Sequence, residues 1–351
     1  MEAVKQAKRT VVLIGDPSSK RTLFFEAAAK ALGVPFRTAD WNTVTETSDL
    51  GMFKGAAVKI DPPSYSTVRL SRMQEQLYEY RRKLHHLANA DGIFFNSPEA
   101  ICAMLQKRKT NRLLKERGIP VTEMFHEEIK TARQLEEVLR ERRCGSVFVK
   151  PECFSGAAGV AAFRLHPVTG SRKLYTSCRL EEGQLVNTKR LVCMEDAADI
   201  QDLLDQLLSL GCVVERWHPK AAVCGKCYDL RIVFQFGHIA SVVARQSMGP
   251  ITNLHLNNRA VCVDALGLDD RVLHDITSAC QKAYDAYCGC LAEEAAFPSF
   301  GMHMAGIDLL LEKGTMRPRI IEMNGQGDLI YQDIYGENRI YQEQVRRLSE
   351  I

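Results

Sequence analysis

Short apolar runs alternate with stretches of helical period over the first hundred residues. Residues 10–14 read as a buried strand, 19–32 as a helix stopped at Gly33, and 34–39 and 56–60 as two more strands. Residues 66–88 carry Met73, Leu77, Tyr80, Leu84 and Leu87 on one helical face, and 92–96 read as a fourth strand. Strands alternating with helices imply a small parallel sheet. The pattern then turns mixed. Ser97-Pro98-Glu99 opens a helix as cap, first-turn proline and acid. Lys107-Arg108-Lys109-Thr110 lies between it and a helix over 111–117, which Gly118-Ile119-Pro120 ends, and Thr131-Ala132-Arg133-Gln134 is a capping box. Strands follow at 146–150 and 160–165, short strands with turns over 174–194, a helix over 197–210 and a strand over 212–217. Residues 230–236 and 239–245 form a hairpin across Gly237-His238, and helices are expected over 271–291 and 338–350.

Residues 302–324 read as one more hairpin, and it carries the clearest chemistry. Centred near Thr315, it sets Leu311 opposite Arg319 and Asp308 opposite Glu322, with Asn324 on the same face as Glu322. Like charges facing each other destabilise a sheet. Two readings follow. A divalent cation lies between the carboxylates, as magnesium does with one or two carboxylates and substrate phosphates. Alternatively the two acids are solvated and pair with Arg317 and Arg319.

Val149-Lys150-Pro151 is followed by a loop of small residues, Ser155, Gly156, Ala157, Ala158 and Gly159. An ammonium beside such a loop can bring backbone N–H groups onto phosphate; the plainer alternative is a hairpin turn. Asp229-Leu230-Arg231 and Arg245 stand on the two arms of one hairpin, with Asn253-Leu254-His255 after them. Converging cations suit an anionic substrate, although either arginine alone reads as a surface ion pair. Glu215-Arg216-Trp217 ends an apolar strand and could offer backbone groups to an adenine edge, or serve as a domain connection. His85, His86, His218 and His274 read as structural or solvated, and His303 as a group that could line the site. The turn at Gly15-Asp16-Pro17-Ser18 lacks a dinucleotide fingerprint and could face a substrate. The sequence carries no P-loop and no H-E-x-x-H.

Composition narrows this picture. With 351 residues the chain can hold two or three domains with real cores. A net charge of +3 is too small to make nucleic acid or an anionic membrane a main partner. No apolar run approaches the roughly 20 residues of a membrane span, and the charged start lacks the features of a secretory signal. The cytoplasm is the expected compartment. Cys102, Cys193, Cys212, Cys262 and Cys280 stand in apolar or helical contexts, as small buried hydrophobes in a reducing compartment. Cys224 and Cys227 form either half of a zinc site, with Cys288 and Cys290, or a redox pair, or a reduced turn.

Taken in order, several of these pieces resemble an ATP-grasp domain: Asn96-Ser97-Pro98-Glu99, Lys107 to Thr110, Val149-Lys150-Pro151 with its loop, Asp229-Leu230-Arg231, Asn253-Leu254-His255, Gly306-Ile307-Asp308, and Glu322-Met323-Asn324. The nearest branch is that of ribosomal-protein glutamate ligases and glutathione synthetases, and a bacterial member is expected. The resemblance implies an α/β N-terminal domain (1–96) followed by an ATP-grasp fold, two α+β subdomains (97–214 and 215–351) with ATP between them. It implies that Lys150 and either Lys107 or Lys109 contact phosphates under a mobile loop containing Ser155, Gly156 and Gly159. Backbone near Glu215 and Trp217 would meet adenine. Asp308, Glu322 and Asn324 would hold magnesium, with manganese as a substitute. Arg231 and Arg245 would face the transferred phosphoryl group or an oxyanion, beside Asn253. The implied activity is ATP-dependent ligation of a carboxylate to an amine, small-molecule or peptide, through an acyl phosphate. An ATP-grasp phosphotransferase and a non-catalytic ATP-binding regulator are the alternatives. A homodimer is compatible with the sequence but nothing specifies it. Two features depart from the pattern: Ala157-Ala158 in the loop, and Gly325-Gln326-Gly327-Asp328 where a small-Pro-Gly run is usual.

Overall fold

The computed structural model describes residues 8–45, 47–66, 68–256, 258–294 and 301–350. The first sheet is parallel, in the order β2-β1-β3-β4, with β1 Val11–Gly15, β2 Phe36–Asp40, β3 Ala57–Ile60 and β4 Ile93–Phe94. Strand β1 is buried throughout because both its faces are covered. Val11 and Leu13 meet helix α1 (Lys20–Ala31), while Val12 and Ile14 share a core with α2 (Leu70–Leu87). The apolar stripe expected on α2 is buried, but the helix begins at Leu70 rather than 66.

Helices α3 (Pro98–Met104) and α4 (Lys107–Glu116) lead into the second unit. Ser97 caps α3, accepting from the Ala100 amide as expected. Lys107 to Thr110 are not a connector; they form the first turn of α4. Helix α5 (Ala132–Glu141) then precedes an antiparallel sheet ordered β8-β7-β6-β5-β9. Its strands are β5 Ser146–Pro151, β6 Ala161–Leu165, β7 Arg172–Glu181, β8 Gln184–Met194 and β9 Cys212–Arg216, with α6 (Ala197–Ser209) before β9. Residues 174–194, expected as short strands, are instead one long hairpin whose register slips between Thr176 and Cys178, which breaks the period-2 pattern. Val147, Val149 and Val214 face α5 and α6, so alternation turns Phe148, Lys150 and Glu215 to the open face.

The third sheet runs β13-β12-β11-β14-β15, with β10 paired to β11. Its strands are β10 Ala222–Val223, β11 Lys226–Gln235, β12 His238–Ser247, β13 Arg259–Cys262, β14 Met304–Leu311 and β15 Pro318–Asn324. The β11–β12 turn falls at Phe236-Gly237, both at positive φ, one residue before the expected place. Leu230, Ile232, Ile307 and Leu309 pack with Ile276, Cys280 and Ala283 of helix α7 (Asp270–Glu294), so Asp229, Arg231 and Asp308 face the other way. Asp308 lies opposite Glu322 as expected, but a bulge after Asp308 sets Leu311 opposite Pro318, not Arg319. Cys224 and Gly225 make the tight turn between β10 and β11. Cys224 and Cys227 are free thiols, and the side chain of Cys290 lies outside the described ones. Cys193 and Cys262 are exposed, unlike Cys102, Cys212 and Cys280, which are buried as expected. Among the described residues no helix is long and apolar enough to cross a membrane.

The chain finally returns to its start. After α8 (Tyr331–Ile334), helix α9 (Arg339–Glu350) packs Ile340, Tyr341, Val345 and Leu348 beside Val11, Leu13 and Phe25. Asn96 ties the first and third sheets, donating to the carbonyls of Met304 (2.8 Å) and Gly325 (2.6 Å). Gly306 and Gly327 touch so closely that a Cβ on Gly306 would lie 2.5 Å from the Gly327 Cα. The unusual run 325–328 thereby reaches Asp328, which is fully buried against Lys59 (2.9 Å), Arg21 and Gln344 (3.3 Å). Burial alone would raise this carboxyl, but Lys59 and Arg21 hold it below the ordinary 3.8.

Asp328→Asn leaves two buried cations short of a counter-charge, so urea unfolding at pH 7 should show a loss of about 3–5 kcal/mol. A depressed carboxyl contributes fully above its unfolded value and loses its contribution as pH falls through the lower folded value. The gap between wild type and variant should therefore narrow below the ordinary 3.8.

Candidate active site

The outward face of β11, β12, β14 and β15 carries a continuous charged row. Arg231 pairs across the ladder with Asp308, and Asp308 with Glu322. The Arg231 guanidinium is 2.9 Å from Asp308 Oδ1, and Arg245 is 3.1 Å from Oδ2. Arg245 Nε also donates to Asp229 Oδ1 at 2.7 Å, as the Asp229–Arg245 pairing dictates. Lys220 (3.4 Å) and the Thr252 hydroxyl close round Asp229 Oδ2.

The open face of the middle sheet forms the opposite wall. Lys150 Nζ donates to Glu215 Oε2 at 2.7 Å, and the Thr122 hydroxyl donates to the same oxygen at 3.2 Å. Lys107 donates to the Phe154 carbonyl and lies 3.7 Å from Glu322. Residues two helical positions apart differ by about 200°, so Lys107 and Lys109 look in opposite directions; Lys107 lines the cavity between the sheets and Lys109 does not. Ser155 and Gly156 line it too, and Gly156, Ala157 and Gly159 take positive φ. The cavity measures about 90 Å³.

Most residues singled out in the sequence meet here: Lys107, Lys150, Ser155, Gly156, Glu215, Arg245, Asn253, Asp308 and Glu322. Arg231 and Asn324 line the adjoining cavity, and Asn324 Nδ2 lies 3.4 Å from Glu322 Oε1. Gly159 supports the loop from behind, against Pro151. Trp217 is not part of the lining. Its amide donates to Ser146 and its ring packs on Phe148 and beneath the Arg164 guanidinium, while its neighbours Arg216 and His218 line the cavity. His303 stacks on Phe95 and lies near Phe236, outside the lining. The Gly15 turn lines neither cavity; Arg21, on the helix after it, lines the second. Asp229 stood in a quoted motif without a role, and Lys220 and Thr252 gave no signal, since only folding brings them to Asp229.

No protein-family model matches the sequence, and neither does any curated protein. Solved structures do match over nearly the whole chain. D-cycloserine synthetase DcsG superposes with TM-score 0.64 at 15% identity, covering 97% of this chain and 99% of its own. Macrocyclase MdnC from Microcystis aeruginosa MRC, bound with precursor peptide MdnA, gives 0.60 at 12%, covering 97% and 100%. ATP-grasp ligase PsnB, complexed with minimal precursor, Mg and ADP, gives 0.53 at 14%, covering 96% of each. The chain has the ATP-grasp fold. The two antiparallel sheets facing each other across the cavity are the halves of that fold, and the parallel sheet precedes them as expected.

The donor set of this ATP-grasp cavity fits a hard cation completed by phosphate oxygens. Among the described residues no group of three His, Cys, Asp or Glu side chains could hold a metal alone. Asp308 and Glu322 could supply two carboxylates and Asn324 an amide oxygen, a set that suits magnesium beside phosphates. Burial opposes both charges. At Glu322 it is outweighed by Lys107, Lys150 and Arg231, which hold the carboxyl down at about 2. At Asp308 burial prevails over the two arginines, aided by Glu322, and pushes the carboxyl up to about 6. Asp308 Oδ1 is buried and makes no hydrogen bond, and only the ion pair with Arg231 at 2.9 Å answers its charge.

The loop offers a test of its geometry. A Cβ on Gly159, at φ +72°, would lie 2.6 Å from Pro151 Cγ, so Gly159→Ala should cost about 1–3 kcal/mol in urea unfolding. Ala157, at φ +62°, should accept glycine with no loss or a gain of up to about 1 kcal/mol. Equal losses at both positions would contradict this loop conformation.

Proposed function

We propose that the chain is an ATP-dependent carboxylate–amine ligase working through an acyl phosphate. The observation that carries this is the meeting of Lys107 and Lys150 with the facing pair Asp308 and Glu322 in one cavity between two sheets. The neighbours support it by name: one is a synthetase, and PsnB is a ligase complexed with Mg and ADP. Small-molecule or peptide acids and amines fit the same neighbours, one of which is bound with a precursor peptide. The reading keeps units of 1–96, 97–214 and 215–351, with β9, which straddles the last boundary, paired to the middle sheet.

In this reading ATP lies between the sheets. Lys150 and Lys107 hold its phosphates, and N–H groups of the loop with Ser155, Gly156 and Gly159 close over them. A cavity of about 90 Å³ is well below the roughly 300–1,000 Å³ of ordinary ligand pockets, so the loop or the sheets must part to admit nucleotide. Glu215 orients Lys150, and the strand near it flanks adenine. Asp308, Glu322 and Asn324 would hold magnesium, which when bound draws charge from the phosphoryl oxygens. A substrate carboxylate oxygen attacks the γ-phosphorus, the bond to ADP breaks, and Arg231 and Arg245 offset the negative charge. The amine lone pair then attacks the acyl carbon, phosphate leaves, and the nitrogen loses a proton to give the amide.

Incubation with MgATP and pools of acids and amines should release ADP and phosphate with a new amide mass. Asp308→Asn and Glu322→Gln should each lower ADP release by about 10²-fold or more, with circular dichroism unchanged. A phosphorylated product without amide would favour a phosphotransferase; wild-type rates in both variants would remove the metal assignment.

A further inference from the structure

A second cavity, about 300 Å³, adjoins the first and shares Ser155, Gly156, Arg245 and Asn253 with it. It opens between the parallel sheet's helices and the charged face of the third sheet. One wall is apolar, built by Tyr65, Leu77 and Tyr80 around α2 and by Ile101 and Met104 of α3. The Tyr80 hydroxyl is already engaged: it donates to Gln326 Oε1 at 3.0 Å, and Gln326 Nε2 donates to the Ile60 carbonyl at 2.9 Å. Among the described residues lining it there is no aspartate or glutamate.

The cations are unevenly available. Arg21 is bound to buried Asp328 and lies 3.9 Å from Asp61. Arg245 is spent on Asp229 and Asp308, with a side chain only 6% exposed. Among the described residues Arg231 has one acid partner, Asp308 at 2.9 Å, and is 23% exposed, against 18% for Arg21 with two acids beside it. Burial, Arg231 and Arg245 all push the His255 imidazole below its ordinary 6.5, so it adds no charge at neutral pH.

We propose that this cavity takes the acid to be activated, and that the acid is a monocarboxylate with an apolar or aromatic body and no ammonium beside its carboxylate. The proposal rests on the ligase reading for the acid's fate. The carboxylate meets Arg231 at the end shared with the nucleotide cavity, while the body lies along Tyr65, Leu77 and Met104. A second carboxylate on the far side would find only Arg21, already neutralised. An α-ammonium would find no acid among the lining residues and would face three guanidiniums; the nearest carboxylates, Asp308 and Glu322, are those assigned to magnesium.

Isothermal titration of the protein loaded with magnesium and AMPPNP tests this directly. 3-Phenylpropionate should bind at least about tenfold tighter than glutarate or free phenylalanine. Tyr65→Lys, which puts an ammonium in the apolar wall, should move the preference towards glutarate by a similar factor and leave AMPPNP affinity unchanged. Equal or tighter binding of glutarate or phenylalanine by the wild type, or binding of none of the three, overturns the proposal. Hydroxylamine trapping of the acyl phosphate keeps the two readings apart. Hydroxamate from glutarate with 3-phenylpropionate idle sinks this inference and leaves the ligase. Selective binding of 3-phenylpropionate with no ADP release does the reverse.

Discussion

Two carboxylates face each other across β14 and β15, and much of the site is arranged around that conflict. A sheet gains nothing from placing Asp308 opposite Glu322, and burial makes the repulsion worse. The surroundings answer with cations from four directions: Arg231 and Arg245 from the neighbouring strands, Lys107 from α4 and Lys150 from the opposite sheet. The compensation is uneven. The cations hold Glu322 below the ordinary carboxyl range, while burial raises Asp308 above it.

The position of the site follows from alternation along strands. In β11 and β14 every second residue packs towards α7, so the intervening residues must face outward. In β5 and β9 the same rule turns Lys150 and Glu215 towards them. Two amphipathic sheets with their helices outside leave one shared interior, and the polar side chains collect there.

The sequence made the ordered motifs and the facing carboxylates readable because both depend on local spacing. Asp308 and Glu322 kept their pairing even though a bulge shifts the outer half of the hairpin, since the irregularity falls between them and the turn. The choice between Lys107 and Lys109 needed the true start of α4, one turn earlier than composition suggested. Lys220 and Thr252 meet Asp229 only through the β10–β11 turn and the loop after β12, which no local pattern encodes. Trp217 misled because a strand-end aromatic looks the same whether it faces a ligand or an arginine such as Arg164. The run 325–328 departs from the family pattern. It is the tether that carries Asp328 to Lys59 and Arg21 and brings the first sheet against the site.

The most direct test is anomalous diffraction from crystals grown with AMPPNP and manganese. A manganese peak is expected within about 2–2.5 Å of carboxylate oxygens of both Asp308 and Glu322, with the phosphates between Lys107 and Lys150. Nucleotide bound in the cavity with no metal at that pair, or metal held elsewhere, would contradict the metal assignment.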